Sequence, residues 1–308
     1  MSPVVPNLFV IGAPKCATTS LFYWLAQHPD VCGSSNKETY YLLDPEYPMV
    51  REGNANFHRD GLEGYSSFFQ DCHAEQYRLE ATPDYLYQET ALEVISQLEP
   101  KPQVIVVLRK PSERVYSLYQ FARNNAGTLD LDVSFAEFVD AIQNDRELLA
   151  SKPILRRAIK QSQYVDYLHG WVSALGRENV HVILFENMTQ KPLECLRTLC
   201  SKLDIDASFY DGFDFVAYNK TVSVKNKTLH RFRARAHTVI SRYFAGFIPG
   251  RVKEMVHSIY NAINQSPEKN SRTAEEQRVI EEIESKHFAP YNHQLEQLLA
   301  IDLAVWER

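Results

Sequence analysis

The run QVIVVL at 103–108 stands between Pro102 and Arg109-Lys110-Pro111. It is continuously apolar, rich in β-branched residues and shows no polar alternation, which describes a strand buried on both faces. Such strands belong to parallel sheets covered by helices on each side. The rest of the chain repeats the pattern. NLFVIG (7–12) is a second apolar run, ended by Gly12, and the stretch to Gln27 places Leu21, Phe22 and Leu25 at helical spacing before His28-Pro29. Pro111 suits the first turn of a helix carrying Val115, Leu118 and Tyr119. Further strands are expected at Tyr77 to Glu80 and at 180–186. A capping box opens a helix at Ser134, another helix runs from Pro192 to Leu203, and two more, at 273–286 and 292–300, are divided at Pro290. Residues 36–70, broken by proline and glycine, read as loops with short helices. Strands alternating with helices predict an α/β fold, a three-layer sandwich around a central parallel sheet.

At 308 residues the chain is long enough to form one large domain, expected to span 1–308 with a helical insertion at about 124–175. The net charge of −6 argues against nucleic-acid binding through bulk electrostatics. Positive charge is concentrated between Asn219 and Tyr260, where nine Lys and Arg face the single acid Glu254. No apolar run approaches the roughly 20 residues that span a bilayer, and the N-terminus lacks the basic start of a signal peptide. A cytoplasmic protein with no membrane partner is therefore expected. Five cysteines, Cys16, Cys32, Cys72, Cys195 and Cys200, form no CxxC pair. Their odd number disfavours a disulfide framework and their spacing disfavours a zinc site, so reduced thiols are expected.

GAPKCATTS (12–20) joins the first strand to the first helix. A strand feeding a helix through such a turn offers backbone N–H groups and a helix N-terminus to an anion, with Lys15 adding a point charge and Thr18, Thr19 and Ser20 adding hydroxyls. It is not the nucleotide triphosphatase loop, which needs a second glycine followed by lysine. Taken alone it reads as a βα turn with an exposed lysine. It is not alone, because Arg109 ends the QVIVVL strand, and Arg114 and Ser117 follow in RKPSERVYSLY. A guanidinium and a hydroxyl at the start of a second helix make another place for phosphate. Open α/β sheets bind ligands at the carboxyl ends of their strands. A nucleotide with phosphates at both its 5′ and 3′ positions would meet both sites.

IGAPKCATTSLFYWLAQHPDV resembles the 5′-phosphosulfate loop, and VIVVLRKPSERVYSLY the 3′-phosphate motif, of the sulfotransferases that use 3′-phosphoadenosine 5′-phosphosulfate (PAPS). The likeness is to the heparan sulfate sulfotransferase-like branch, including its bacterial members. It extends through NKETYYLL (36–43), GLEGYSSFF (61–69), LEATPDYL (79–86) and HFAPYNHQLEQLLAIDLAVW (287–306). The resemblance implies the P-loop nucleotide-binding-like sulfotransferase fold, PAPS as sulfonate donor, 3′,5′-adenosine bisphosphate (PAP) as product and no metal. It implies that Lys15 lies at the bridging oxygen of the donor, and that Cys16, Ala17, Thr18, Thr19 and Ser20 cradle the 5′-phosphate. Arg109 and Ser117 would hold the 3′-phosphate, and Glu38 would take the acceptor's proton. A carboxylate among Tyr40, Tyr41 and Leu42 would be desolvated and a better base; the plainer alternative is a loop carboxylate paired with Lys37. Lys225 and Lys227 fall where the resembling enzymes close a basic segment, here about 219–260, over the nucleotide. Ala81 stands near the place of a lysine in the glycosaminoglycan enzymes, and Cys16 and Ala17 stand where glycines are frequent. His28 and His58 are free histidines without a matching role.

The function these expectations describe is sulfonation of a hydroxyl, or of an amine, on a compact carbohydrate or small natural product. Two alternatives stay open on the sequence. One is an ATP-dependent small-molecule kinase of related fold, disfavoured by the loop spacing and by the absence of a metal-binding Asp after the 103–108 strand. The other is a nucleotide-binding module without catalysis.

Overall fold

In the computed structural model, residues 4–218, 222–224, 265–267 and 272–307 are described. The chain packs as two compact units.

The first unit, residues 1–114, 160–219 and 285–308, holds a five-stranded sheet. Its strands are β1 (Leu8–Gly12), β2 (Val31–Gly33), β3 (Tyr77–Glu80), β4 (Gln103–Leu108) and β5 (Val180–Leu184). They are parallel throughout, in the order β2-β3-β1-β4-β5. β1 is buried over its whole length and β4 over all but Gln103, as expected of strands covered on both faces. The covering helices are α1 (Thr18–Leu25), α2 (Phe57–Tyr65) and α3 (Glu89–Ser96), and later α7 (Val165–Leu175), α8 (Phe185–Gln190), α9 (Pro192–Leu203) and α11 (Ala289–Leu299). The chain leaves β1 between two neighbours reached in opposite directions, β3 and β4, so the strand order reverses there. That switch point is where an open parallel sheet makes a crevice for a ligand.

The second unit, residues 115–159 and 220–284, takes up the helix α4 (Pro111–Gln120) from Val115 onward. It adds α5 (Phe135–Gln143), α6 (Pro153–Arg156), the two-stranded antiparallel ladder of β6 (Val222–Val224) and β7 (Gln265–Pro267), and α10 (Ala274–Ile283). Tyr116, Tyr119, Phe135 and Phe138 form its aromatic core. Both α5 and α10 start from complete capping boxes, Ser134 with Glu137 and Thr273 with Glu276, which satisfy otherwise orphaned amide donors.

Three expectations are corrected. Cys32 and Cys72 are joined in a disulfide, while Cys16, Cys195 and Cys200 are free. The pairing follows from topology: β2 lies beside β3, and Ser35 N–H donates to the Phe68 carbonyl at 2.9 Å, so the segment ending at Cys72 folds back onto β2. Nothing in the cysteine spacing carries that information. Pro290 does not divide the last helices but sits in the first turn of α11, where its missing N–H costs no bond; the break is the π-helical turn Glu284–Phe288. The strand expected to reach residue 186 stops at Leu184, because α8 begins at Phe185.

Candidate active site

Gly12 ends β1 where the chain must pass close to the turn Pro83–Tyr87. A Cβ there would lie 2.9 Å from the Leu86 Cβ and 3.2 Å from the Pro83 carbonyl, so only glycine fits. The Ala13 N–H then donates to the Val107 carbonyl at 2.9 Å, which ties the start of the loop to β4. Two non-glycine residues follow at positive φ, Lys15 at 73° and Ala17 at 59°. Left-handed backbone at such residues costs about 1–3 kcal/mol each and persists where the surroundings enforce it. Ala17 is the N-cap of α1, so this turn leads directly from the end of β1 into the helix, with the positive end of its dipole at the loop.

One enforcing residue is Arg114, 1% exposed in the first turns of α4. Its Nε donates to the Pro14 carbonyl at 3.1 Å and its Nη1 to Ser162 Oγ at 2.7 Å. A guanidinium can satisfy two acceptors on different segments because its donors are fixed in a fork. From the sequence Arg114 was a candidate for phosphate; the fold turns it to the loop backbone instead.

Arg109 follows β4. Its guanidinium lies 4.7 Å from the centre of the Phe185 ring and 3.3 Å from a Glu113 carboxylate oxygen, and its carbonyl accepts from the Tyr164 hydroxyl at 2.9 Å. Glu186 accepts from the Lys110 N–H at 3.0 Å and from Trp306 Nε1 at 2.9 Å, tying the segment after β5 to the entry of α4. Sequence reasoning missed Glu186 and Tyr164; the position of Glu186 just beyond a strand end was the available signal for it.

Lys15 is half-buried, and its pKa is lowered to about 8, first by burial and then by the positive charge of Arg109, with Arg114 adding to the effect; Glu38 pulls the other way. Three cations and one carboxylate thus share one electrostatic environment at the ends of β1 and β4. That environment favours an anion, which would relieve the crowding of like charge.

Of the hydroxyls on α1, Thr18 is 5% exposed, and Ser20 accepts from the Tyr218 N–H at 3.0 Å, so Ser20 also serves to hold the segment at 215–218. Cys16 is buried, which raises its thiol to about 11 and keeps it protonated. Glu38 lies in the segment after β2, bonded to Lys37 and to the Tyr40 hydroxyl. The expected aromatic wall is only partly there: Tyr41 turns away, stacking on Tyr65 and donating to the Gly61 carbonyl at 2.6 Å. Asp84, 8% exposed, is within reach of the Glu38 charge; burial raises its pKa first, with Glu38 adding to the shift against the Tyr47 hydroxyl bond that opposes it.

Ser117 is buried on α4, in the second unit. Lys225 and Lys227 lie outside the described residues. His28 has a structural role, bonded to the Asp206 carbonyl at 2.9 Å and the Asp30 N–H at 3.1 Å, and His58 contacts Thr90. Among the described residues, no group of three or more His, Cys, Asp or Glu is arranged to hold a metal ion, and no helix is long and apolar enough to cross a membrane.

Residues 5–238 match the family described as the sulfotransferase domain. The bifunctional heparan sulfate N-deacetylase/N-sulfotransferase 1 of Mus musculus is 25% identical over 224 residues, covering 72% of this chain and 24% of that protein. The bifunctional heparan sulfate N-deacetylase/N-sulfotransferase of Drosophila melanogaster is 24% identical over 254 residues, covering 76% and 23%. The chain therefore spans about a quarter of the length of these relatives. A sulfotransferase from Alicyclobacillus acidocaldarius has the same fold, with a TM-score of 0.66 at 22% identity over 99% of this chain and 100% of that one. The parallel sheet with its helical layers, and a family match that covers most of the sequence, lead to one assignment: the chain belongs to the sulfotransferase family.

Proposed function

We propose that this chain transfers a sulfonate group from PAPS to a hydroxyl, or to an amine, of a compact sugar or small natural product. The observation that carries the reading is the placement of Lys15 and Arg109 after neighbouring strands, with the Lys15 ammonium crowded by Arg109. In an in-line displacement the bond between sulfur and the 5′-phosphate oxygen breaks as the bond to the acceptor forms. The leaving phosphate gains charge, and Lys15 with the N–H groups and hydroxyls of residues 16–20 would neutralise it. Arg109, with Ser117, Lys225 and Lys227, would bind the 3′-phosphate. Glu38 would take the acceptor's proton once the acceptor displaces one of the two donors, Lys37 and Tyr40, that now occupy its carboxylate.

Thermal unfolding with PAP, with ATP and magnesium, and with buffer alone tests the donor. A ligand at 100 times its dissociation constant stabilises by about 2.7 kcal/mol. PAP is expected to stabilise and ATP with magnesium to have little effect; the reverse order would return the kinase reading. Mass spectrometry of small molecules incubated with PAPS and the protein then identifies acceptors as products that have gained SO₃, and Glu38→Gln is expected to abolish that gain without weakening PAP binding.

A further inference from the structure

The segment that carries Glu38 is held by side chains rather than by a strand or helix. Four successive amides are fixed in this way. Thr39 N–H donates to Glu80 Oε1 at 3.3 Å, Tyr40 N–H to Thr82 Oγ1 at 3.3 Å, Tyr41 N–H to Thr39 Oγ1 at 3.3 Å, and Leu42 N–H to the Tyr85 hydroxyl at 3.1 Å. At the centre is Glu80, the last residue of β3, with no exposed surface. Its carboxylate also accepts from Thr39 Oγ1 at 2.9 Å, from Thr82 Oγ1 at 2.6 Å and from the Thr82 N–H at 3.1 Å. We propose that Glu80 is a positioning residue: through Thr39 and Thr82 it fixes the backbone of residues 39–42 and thereby aims the Glu38 carboxylate.

The donor inventory requires an acceptor at both Glu80 oxygens. Thr39 Oγ1 gives its single proton to Glu80, so the Tyr85 hydroxyl, 3.0 Å away, donates to Thr39 and accepts from Leu42. Thr82 Oγ1 likewise gives its proton to Glu80 and accepts from Tyr40. The protons of Thr39, Thr82 and Tyr85 all point toward Glu80 or are already used, so a protonated carboxyl would find no acceptor for its own hydrogen among them, whereas the ionised carboxylate accepts at both oxygens. A glutamine would set an N–H₂ group against either the Thr82 amide or the two threonine hydroxyls.

The backbone shows why the hold is needed. Tyr40 has φ of 55°, a left-handed conformation that a bulky residue adopts only under outside constraint, and its hydroxyl is the one bonded to Glu38. The constraint runs from Glu80 through Thr82 to the Tyr40 amide, and from the Tyr40 ring to the Glu38 carboxylate. Burial pushes the Glu80 carboxyl up to about 7 against the donors that favour its charge. The titratable groups facing it are Tyr65, at the end of α2, and Tyr85, in the turn after β3; burial raises both, so both are neutral.

The assignment of an aim to this segment rests on the reading of Glu38 as the acceptor's base, and the test separates the two. Hydrogen–deuterium exchange of the full chain is followed in the peptide spanning 38–43 and in β1 and β4, for the parent protein and for Glu80→Gln, Thr39→Val and Thr39→Ser. Exchange at 39–42 is expected to quicken at least tenfold in Glu80→Gln and Thr39→Val. It should remain near the parent rate in Thr39→Ser, which keeps the hydroxyl, while β1, β4 and the affinity for PAP change less than twofold. Unchanged protection at 39–42 in Glu80→Gln overturns the proposal, and so does loss of protection spread equally over β1 and β4. Turnover of PAPS with 4-nitrophenol and glucosamine as probe acceptors addresses the rest. A tenfold lower kcat in Glu80→Gln at unchanged KM for PAPS supports the aim, whereas a Glu38→Gln variant as active as the parent removes the base reading and leaves the exchange result standing.

Discussion

Arg114 Nε reaches the Pro14 carbonyl at 3.1 Å, so a residue in the first turns of α4 also holds the backbone next to Lys15. Hydrogen bonds made by a charged group contribute about 1.5–3 kcal/mol each, and a buried carbonyl left without its donor adds to the cost of removing them. Arg114→Met is expected to destabilise the fold by about 2–4 kcal/mol, read by urea unfolding. Arg114→Lys keeps the charge but lacks the fork, and should recover less than half of the loss. A fully recovered lysine variant would show that charge rather than geometry matters at this position.

Arg109 presents the other test of the anion site. Its guanidinium rests on Phe185 and Glu113. Arg109→Ala is expected to weaken PAP by about 1.5–3 kcal/mol, roughly ten- to a hundredfold, in a calorimetric titration. Equal affinity in the variant would remove Arg109 from the site.

The lowered pKa of Lys15 gives a signed prediction. In the free protein its ammonium titrates at about 8 rather than near 10.5. The cost of holding that charge in the fold is fully present below about 8 and is relieved as pH rises from 8 toward 10.5. An added phosphate favours the ammonium and moves the pKa back up, so PAP binding between pH 8 and 10 takes up a proton. Titration calorimetry in buffers of different ionisation enthalpy should detect that uptake. It should vanish in Lys15→Met, and the parent's affinity should fall as pH rises above 8.

The layout of the sheet was legible in the sequence because its central strands are buried on both faces and therefore read as unbroken apolar runs. β2 was not, since three residues with one buried position carry no periodicity. The places of Lys15 and Arg109 were legible because each stands between a strand end and a helix start, which chain order alone fixes. The surroundings of Glu38 were visible only in part. Lys37 and Tyr40, which bond its carboxylate, are sequence neighbours, whereas Glu80 and Thr82, which hold Thr39 and Tyr40, come from the end of β3 and the turn after it, more than forty residues away. The direction of Arg114 was hidden for the same reason, as its acceptors come from Pro14 and Ser162, one before β1's neighbour helix and one before α7.

The disulfide sets a further expectation. It closes a loop of 40 residues that includes Glu38 and all of α2. In the chain-entropy account a loop of that size is stabilised by about 4 kcal/mol. Cys32→Ser with Cys72→Ser should lower the melting temperature without altering PAP affinity, since Lys15 and Arg109 lie outside the loop. Disulfides are rare in a reducing cytosol. Thiol labelling of protein freshly taken from cells, with three reactive cysteines after denaturation under non-reducing conditions, would agree with the bond; five would restore the fully reduced expectation.

The last prediction concerns the acceptor. Enzymes that hold long sulfated polysaccharides need an extended basic groove, and each sulfate contact releases counterions, so affinity falls steeply with salt. Here Glu38 and Asp84 place two carboxylates within reach of each other's charge, and Lys37 is already paired with Glu38. Ala81, fully buried beside Glu80, stands near the place of a lysine in the resembling glycosaminoglycan enzymes and supplies no charge. A polyanion brought to Glu38 would meet repulsion from Asp84, whereas a neutral sugar hydroxyl would not and an ammonium would be attracted. Compact neutral or cationic acceptors are therefore expected to be sulfonated faster than heparan-type chains, with rates changing less than threefold between 50 and 200 mM salt (the span over which roughly six to ten sulfate contacts would cost about a thousandfold or more). Asp84→Asn should narrow the preference for a cationic over a neutral acceptor while leaving the affinity for PAP unchanged. Faster sulfonation of heparan-type chains, collapsing over that salt range, would overturn this expectation and assign the basic segment at 219–260 to the acceptor instead.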